Sequence, residues 1–183
     1  MQKEKDELLS LLIKDAYFKE KVILSSGQES DYYIDARRVT LSAKGAYLCG
    51  KIILNMVKED NIKAIGGPTL GADPMLGAIA VISLQAGRPL NTFIVRKAPK
   101  PYGRQQQIEG PFLNKGDEVV LIDDVATTGK ALVSSVDVLR NAGVVVEKAI
   151  CIVDRSQGAV EALAEKDCRL LSIFNISDIL DNV

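Results

Sequence analysis

The sequence predicts an α/β fold: an open, mostly parallel, Rossmann-like sheet flanked by helices. Three observations carry that expectation. From about residue 64 onward, short apolar runs of strand length alternate with stretches at helical spacing. The run Val119-Val120-Leu121-Ile122 is apolar without alternation, as a parallel strand covered on both faces should be. Polar, glycine-containing clusters follow directly on successive strand candidates, which suits the carboxyl edge of such a sheet. With 183 residues the chain fits one domain, 1–183, large enough to bury a proper core.

The elements follow in order. Residues 3–20 read as an amphipathic helix, with Leu8, Leu9, Leu12, Ile13 and Ala16 on one face. A polar segment, Ser25 to Ser30, leads into the tyrosine-containing run Asp31-Tyr32-Tyr33-Ile34-Asp35. Helical spacing returns at Ala46, Cys49, Ile52, Ile53, Met56 and Val57. Residues 64–66 then read as a strand, 71–86 as an apolar helix, and 91–95 and 118–123 as strands. Residues 130–142 read as a helix closed by Gly143. Strands at 145–153 and 169–174 flank a short helix near 158–165. No internal repeat, low-complexity tract or linker interrupts the pattern.

Composition narrows the function classes. Hydrophobic residues make up 47% and charged residues 26%, ordinary for a globular domain. The net charge is −1 and no dense Lys/Arg tract occurs, which argues against nucleic acid as the main partner. The N-terminus is charged, resembles no secretory signal, and no apolar stretch is long enough for a membrane span. Cys49, Cys151 and Cys168 are isolated thiols without CxxC spacing, so a reducing, cytoplasmic setting with inert cysteines is expected. The chain has no histidine, which removes Ser-His-Asp and Cys-His catalysis and any histidine base.

The most informative stretch is 119–131, Val-Val-Leu-Ile-Asp-Asp-Val-Ala-Thr-Thr-Gly-Lys-Ala. A buried strand ends on two adjacent carboxylates, a small-residue loop follows, and a helix begins. Strand, loop and helix in that order point backbone N–H groups and a helix N-terminus at an anion. Thr127 and Thr128 add hydroxyl donors, and Gly129 lets the backbone approach a phosphate closely. Asp123 and Asp124 would repel that phosphate, but a neighbouring diol, as on a ribose, can donate hydrogen bonds to them. The run therefore reads as a site for a ribose carrying a phosphate. A Walker loop is excluded, because Asp124 stands where its first glycine belongs and Ala131 where it needs Ser or Thr. A plain strand with acids capping the next helix is the alternative, and it explains one carboxylate but not two with the Thr-Thr-Gly run.

Two further loops carry chemistry. From Arg96 to Gly110 apolar periodicity is lost, two prolines and two glycines intervene, and Arg96, Lys97, Lys100 and Arg104 cluster. Such a loop suits a mobile lid, about 96–110, whose cations meet a pyrophosphate and whose closure excludes water. Taken alone it is equally a solvated hairpin. Residues 66–74, Gly-Gly-Pro-Thr-Leu-Gly-Ala-Asp-Pro, fit a turn of N–H groups facing a diphosphate, or an ordinary β–α turn. Together with Asp154-Arg155, all these clusters follow strands, and one shared sheet edge would unite them.

The run 119–131 resembles the phosphoribosyl-diphosphate (PRPP) signature of the type I phosphoribosyltransferases. The chain as a whole is most similar to their orotate-using branch. The matching stretches are Leu24-Ser25-Ser26-Gly27 with Ser30 to Asp35, Gly66 to Pro74, Val95-Arg96-Lys97 with Lys100 and Tyr102-Gly103, Ile108-Glu109-Gly110, and Val153-Asp154-Arg155. They are collinear and span most of the chain. The resemblance implies the type I fold with a small hood, about 1–40, over the sheet edge. It implies Mg²⁺-dependent transfer of ribose 5-phosphate from PRPP to N1 of orotate. The products would be orotidine 5′-monophosphate and pyrophosphate, in de novo pyrimidine synthesis. It places the PRPP site on Asp123 and Asp124 at the ribose hydroxyls and on Val125, Ala126, Thr127, Thr128, Gly129, Lys130 and Ala131 around the 5′-phosphate. Arg96, Lys97 and Lys100 would grip the pyrophosphate. Catalytic roles fall to Lys100, Tyr102, Asp123 and Asp124, and orotate to Ser25, Tyr32, Tyr33, Thr127 and Arg155. Magnesium would be bound mainly through PRPP, with no dedicated protein ligand. A homodimer sharing lid residues across its interface is implied as well.

Three positions depart from the family's best-known form. Tyr102 stands where histidine is frequent, and Ser25 and Gly71 stand where lysines are frequent. A transferase of the same type acting on a purine, and a PRPP-binding regulator without catalysis, are the rival readings. The chain has neither the length nor the basic balance for a regulator's nucleic-acid domain.

Overall fold

The computed structural model describes residues 1–23, 29–99 and 107–183. It opens with helix α1 (Gln2–Leu11), continued by one π-helical turn, Leu12–Ala16. Four two-residue strands follow: β1 (Tyr17–Phe18), β2 (Val22–Ile23), β3 (Glu29–Ser30) and β4 (Tyr33–Ile34). Next come α2 (Arg37–Thr40), α3 (Ala43–Met56), β5 (Ala64–Pro68), α4 (Asp73–Gln85), β6 (Asn91–Val95) and β7 (Ile108–Glu109). The chain closes with β8 (Glu118–Ala126), α5 (Lys130–Asn141), β9 (Val145–Asp154), α6 (Ala159–Ala164), β10 (Arg169–Asn175) and α7 (Ile176–Leu180).

A six-stranded sheet runs in the order β10-β9-β8-β5-β6-β7, parallel throughout except for β7, which pairs antiparallel with β6. The expected sheet is thus present, with one antiparallel edge strand. On β8, Val120 and Ile122 face a core built with α1, α3 and α4. Val119 and Leu121 face the opposite core, built with α5 and α6. That two-sided burial is why the strand reads as unbroken apolar sequence. Gly66 and Gly67 fit the same logic. A Cβ on Gly66 would lie 2.2 Å from the Phe93 ring, and one on Gly67 2.1 Å from the backbone oxygen of Ile122.

Several boundaries differ from the sequence expectation. The N-terminal helix ends at Ala16 rather than at residue 20, because Tyr17 turns extended. Tyr17 and Phe18 pair with Ile34 and Tyr33, and their rings pack on Tyr32 and Tyr33 at centroid distances of 6.1 and 6.5 Å. Cross-strand aromatic pairing outweighs the residual helical pattern there. α3 starts at Ala43, where Ser42 Oγ accepts from the Gly45 N–H at 3.1 Å. Residues 108–109, expected inside the lid, instead form β7, with Ile94 opposite Glu109 and Val95 opposite Ile108. The terminal helix α7, begun by a capping box between Asn175 and Asp178, is an addition.

The feature that makes the site is a parting of strands. β5 pairs with β8 only from Ala64–Val119 to Gly66–Leu121, while β5 stays with β6 as far as Pro68–Val95. β8 stays with β9 as far as Ala126–Asp154. The chain order reverses direction across this same gap, which is where open α/β sheets bind ligands. Gly67→Ala should test the tight packing beside the gap. The added methyl meets backbone rather than a movable side chain, so urea unfolding should show a loss on the order of 2 kcal/mol or more. An unchanged midpoint would contradict that packing.

Candidate active site

The strand β8 runs through both acids to Ala126, so Asp123 and Asp124 lie within the strand rather than after it. Continued pairing with β9 past the point where β5 departs is the reason. Asp123 is 9% exposed, and its Oδ1 accepts from the Asp124 N–H at 3.0 Å. Burial pushes the Asp123 carboxyl well above its ordinary range, and the neighbouring Asp124 charge adds to the shift. Burial raises Asp124 as well, against the hydrogen bond its Oδ1 accepts from the Val125 N–H at 2.7 Å. The two carboxylates also converge in space. A Cβ built on Gly71 would sit 2.5 Å from Asp123 Oδ1 and 2.5 Å from Asp124 Oδ1.

After Ala126 the chain turns through Thr127 and Thr128 to Gly129, the N-cap of α5, in the left-handed region at φ 72°. A Cβ there would also meet Ala159 at 3.1 Å. The first-turn N–H groups of α5 lack helical acceptors and open onto a cleft of about 680 Å³. Its walls include Thr69, Arg96, Lys97, Asp123 and the whole span 125–131. Nine of the expected PRPP residues line this cleft together with Asp123: Arg96, Lys97, Val125, Ala126, Thr127, Thr128, Gly129, Lys130 and Ala131. Arg96 is anchored by its N–H to Gln107 O at 2.8 Å and by an ion pair with Glu109 at 3.7 Å. The Thr69–Leu70 peptide beside it is cis.

Asp124 faces a second cleft, of about 430 Å³, with Tyr33, Asp35, Arg37, Leu70, Gly71 and Arg155 among its walls. The two clefts share Val125 and Thr127. Arg155 is only 4% exposed. Its Nη2 donates to Ser30 Oγ at 3.1 Å, and its guanidinium lies 4.7 Å from the centre of the Tyr32 ring. Its buried Nε has no hydrogen-bond partner among the described residues. Tyr32 does not line either cleft; it supports Arg155 from behind. Ser25, Lys100 and Tyr102 lie outside the described residues. Asp35 and Thr69 belong to the tyrosine run and the 66–74 turn already singled out, whereas Arg37, two residues past that run, carries no local signal of its own.

The donor set bears on magnesium. No group of three or more His, Cys, Asp or Glu residues that could hold a metal occurs among the described residues. Two converging carboxylates beside an open cleft fit an ion that arrives with a phosphate ligand and keeps part of its water shell.

The acid pair makes stability depend on pH. Folding raises the Asp123 pKa above the ordinary 3.8, so its contribution is fully present below that value and is lost as pH rises through the raised pKa. Asp123→Asn removes that loss. The variant should therefore melt above the parent near pH 7, with the gap closing toward about pH 4. The same variant should bind PRPP about ten- to a hundredfold more weakly by calorimetry. A pH-independent gap would contradict the burial argument, and unchanged PRPP affinity would remove Asp123 from the site.

Comparison with known proteins agrees with this geometry. The phosphoribosyl transferase domain model matches residues 41–178. The orotate phosphoribosyltransferase of Thermosynechococcus vestitus is 45% identical over 175 residues, covering 96% of this chain and 92% of its own length. That of a Nostoc species is 42% identical over 173 residues, covering 94% and 84%. The crystal structure of Mycobacterium tuberculosis orotate phosphoribosyltransferase with Fe(III) dicitrate superposes with a TM-score of 0.84 at 35% identity, over 96% of this chain and 98% of that one. The same enzyme in complex with PRPP gives 0.80 at 32% identity, over 96% and 98%. In sequence and in overall structure, then, the chain belongs to the phosphoribosyl transferase family, in its orotate phosphoribosyltransferase branch.

Proposed function

We propose that this chain transfers ribose 5-phosphate from PRPP to orotate, giving orotidine 5′-monophosphate and pyrophosphate, as the names of its relatives indicate. The observation that carries the reading is the junction of the clefts. A phosphate cradle and a buried, under-satisfied arginine meet at Val125 and Thr127.

The 5′-phosphate lies against Thr127, Thr128 and the first turn of α5, where unpaired N–H groups and the helix dipole stabilise it. Asp123 and Asp124 accept from the ribose hydroxyls. Orotate lies in the second cleft, its planar carboxylate facing Arg155, whose fork suits a bidentate pair. Thr127 and Tyr33 flank it. As the bond from the anomeric carbon to pyrophosphate lengthens, positive charge grows on the sugar and negative charge on the leaving group. The acid pair beneath the ring stabilises the first, while Arg96 and Lys97 stabilise the second. Lys100 and Tyr102, outside the described residues, belong to the same proposed set. Asp123 and Asp124 would face a magnesium ion carried in with PRPP, which would supply charge neutralisation at the diphosphate. Orotate is itself an anion at neutral pH, so a chain without histidine meets the demand through charge placement.

Buried free thiols at Cys49, Cys151 and Cys168 suit a cytoplasmic setting. No described helix is long and apolar enough to cross a membrane. A homodimer is part of the proposal, and the exposed side chains of Leu41, Tyr47, Val81 and Leu84 offer apolar surface for it. Sedimentation at working concentration tests that point.

The activity is tested by following orotate absorbance with Mg²⁺ and PRPP, with uracil, hypoxanthine and adenine as parallel acceptors. Orotate should be consumed with stoichiometric pyrophosphate release. Turnover of a purine alone would retain the PRPP site and overturn the base assignment. Binding of PRPP without any turnover would favour the regulator. Arg155→Gln should raise the KM for orotate about tenfold or more while leaving the KM for PRPP nearly unchanged. Equal shifts in both would contradict the separation of the clefts.

A further inference from the structure

The second cleft contains a cation that the proposed chemistry has not used. Arg37, the first residue of α2, lines it together with Leu70, Gly71 and Asp124. Its side chain is 42% exposed, and only Nε is engaged, donating to Asp35 Oδ1 at 2.8 Å. The same carboxylate oxygen accepts from the Arg37 N–H at 3.3 Å. Asp35 thus fixes the root and the neck of the side chain and leaves both terminal nitrogens without a partner among the described residues. This is the arrangement of a guanidinium held ready for an anion.

Two anions meet in these clefts, and the surroundings distinguish them. Arg155 already offers an enclosed, unpaired Nε for the orotate carboxylate. Arg37 stands on the wall formed by the 68–71 turn and the acid pair. Asp35 chiefly raises the Arg37 pKa, with a smaller share from Asp124, and Arg37 in turn partly offsets the burial that raises Asp124. A sugar whose hydroxyls rest on Asp123 and Asp124 brings its anomeric carbon, and the diphosphate leaving it, toward that wall. The turn itself carries no charge toward the acids. Gly71 has no side chain, and any Cβ there would collide with both carboxylates.

Resting on the PRPP-dependent reading above, we infer that Arg37, positioned by Asp35, contacts the diphosphate of PRPP and stabilises it as it leaves. Two consequences follow from that placement. Loss of the guanidinium weakens diphosphate ligands selectively, and a lysine at the same position, lacking the Asp35 latch through Nε, restores charge but not geometry.

The test is calorimetry with Mg²⁺ on the parent, Arg37→Gln and Arg37→Lys, using four probes: inorganic pyrophosphate, PRPP, ribose 5-phosphate and orotidine 5′-monophosphate. Arg37→Gln should weaken pyrophosphate and PRPP about tenfold or more, with the other two probes within about twofold. Arg37→Lys should fall between the parent and Arg37→Gln. In steady state, kcat should fall while the KM for orotate holds. Unchanged pyrophosphate affinity in both variants overturns the inference, as does a selective loss of orotidine 5′-monophosphate, which would place Arg37 on the base. A parent that binds neither PRPP nor pyrophosphate overturns the reading beneath it, whereas a parent that binds both beside indifferent variants overturns the role of Arg37 alone. Thermal melts of both variants separate a binding loss from a folding loss. An Arg37→Gln that does not fold, with an Arg37→Lys that folds and binds pyrophosphate like the parent, also overturns it.

Discussion

Two adjacent carboxylates held side by side under the parting of β5 and β8 set the terms for everything around them. In an empty protein the arrangement is unfavourable. Asp123 is buried and Asp124 half-buried; burial raises both carboxyls, and the Asp124 charge raises Asp123 further. The sheet tolerates it because β8 is locked to β9 along its length, so the strand cannot relax away from the strain. The cost has a use: an uncompensated acid pair binds whatever supplies donors and positive charge. In the proposed reaction a ribose diol is the source of the donors, and a sugar on its way to a cation is the source of the charge. Stability in the absence of ligand is exchanged for affinity at the point where charge develops.

The cations around that pair share a second property: each is held by a local device. Arg96 has Gln107 and Glu109 on the β7 edge. Arg37 has Asp35, and Arg155 has Ser30 and the Tyr32 ring. A flexible arginine spends rotamer entropy each time it closes on an anion, and one that is already latched spends little. The same devices explain why the small hood strands matter. Pairing of β1 with β4 and stacking of Tyr17 on Tyr32 fix the ring on which Arg155 rests. The hood is therefore joined to the end of β9 by a hydrogen bond between residues 125 positions apart. Loosening the N-terminal aromatic pairs would loosen the second cleft before it loosened the sheet.

Much of this was legible in the amino-acid sequence. The apolar run into Asp123-Asp124 identified a two-faced central strand, and the Ala-Thr-Thr-Gly stretch identified the turn into α5 that lines the first cleft, because both depend on residues adjacent in the chain. Boundaries set by partners were not legible. Nothing local ends the first helix at Ala16; the cross-strand partners of Tyr17 and Phe18 do, and they lie beyond residue 32. The edge strand Ile108–Glu109 was hidden within a loop composition, since two paired residues leave no period to detect. Arg37 was overlooked because arginine beside a short helix is ordinary, and only the cleft makes it notable.

By itself, then, the sequence determined the alternation of strands and helices, the acid pair at the end of an apolar run, the small-residue loop before a helix, and an arginine placed directly after a strand. These are properties of residue type and of spacing within one segment. Only the tertiary structure decided that β5 leaves β8 after Gly66, so that the acids lie inside a strand and still line the clefts. It alone decided that Gly71 closes over both carboxylates, that Tyr32 serves Arg155 instead of lining the cleft, and that Arg37 faces Asp124. Each of those depends on distances between segments far apart in the chain, and such distances are set by packing rather than by local propensity.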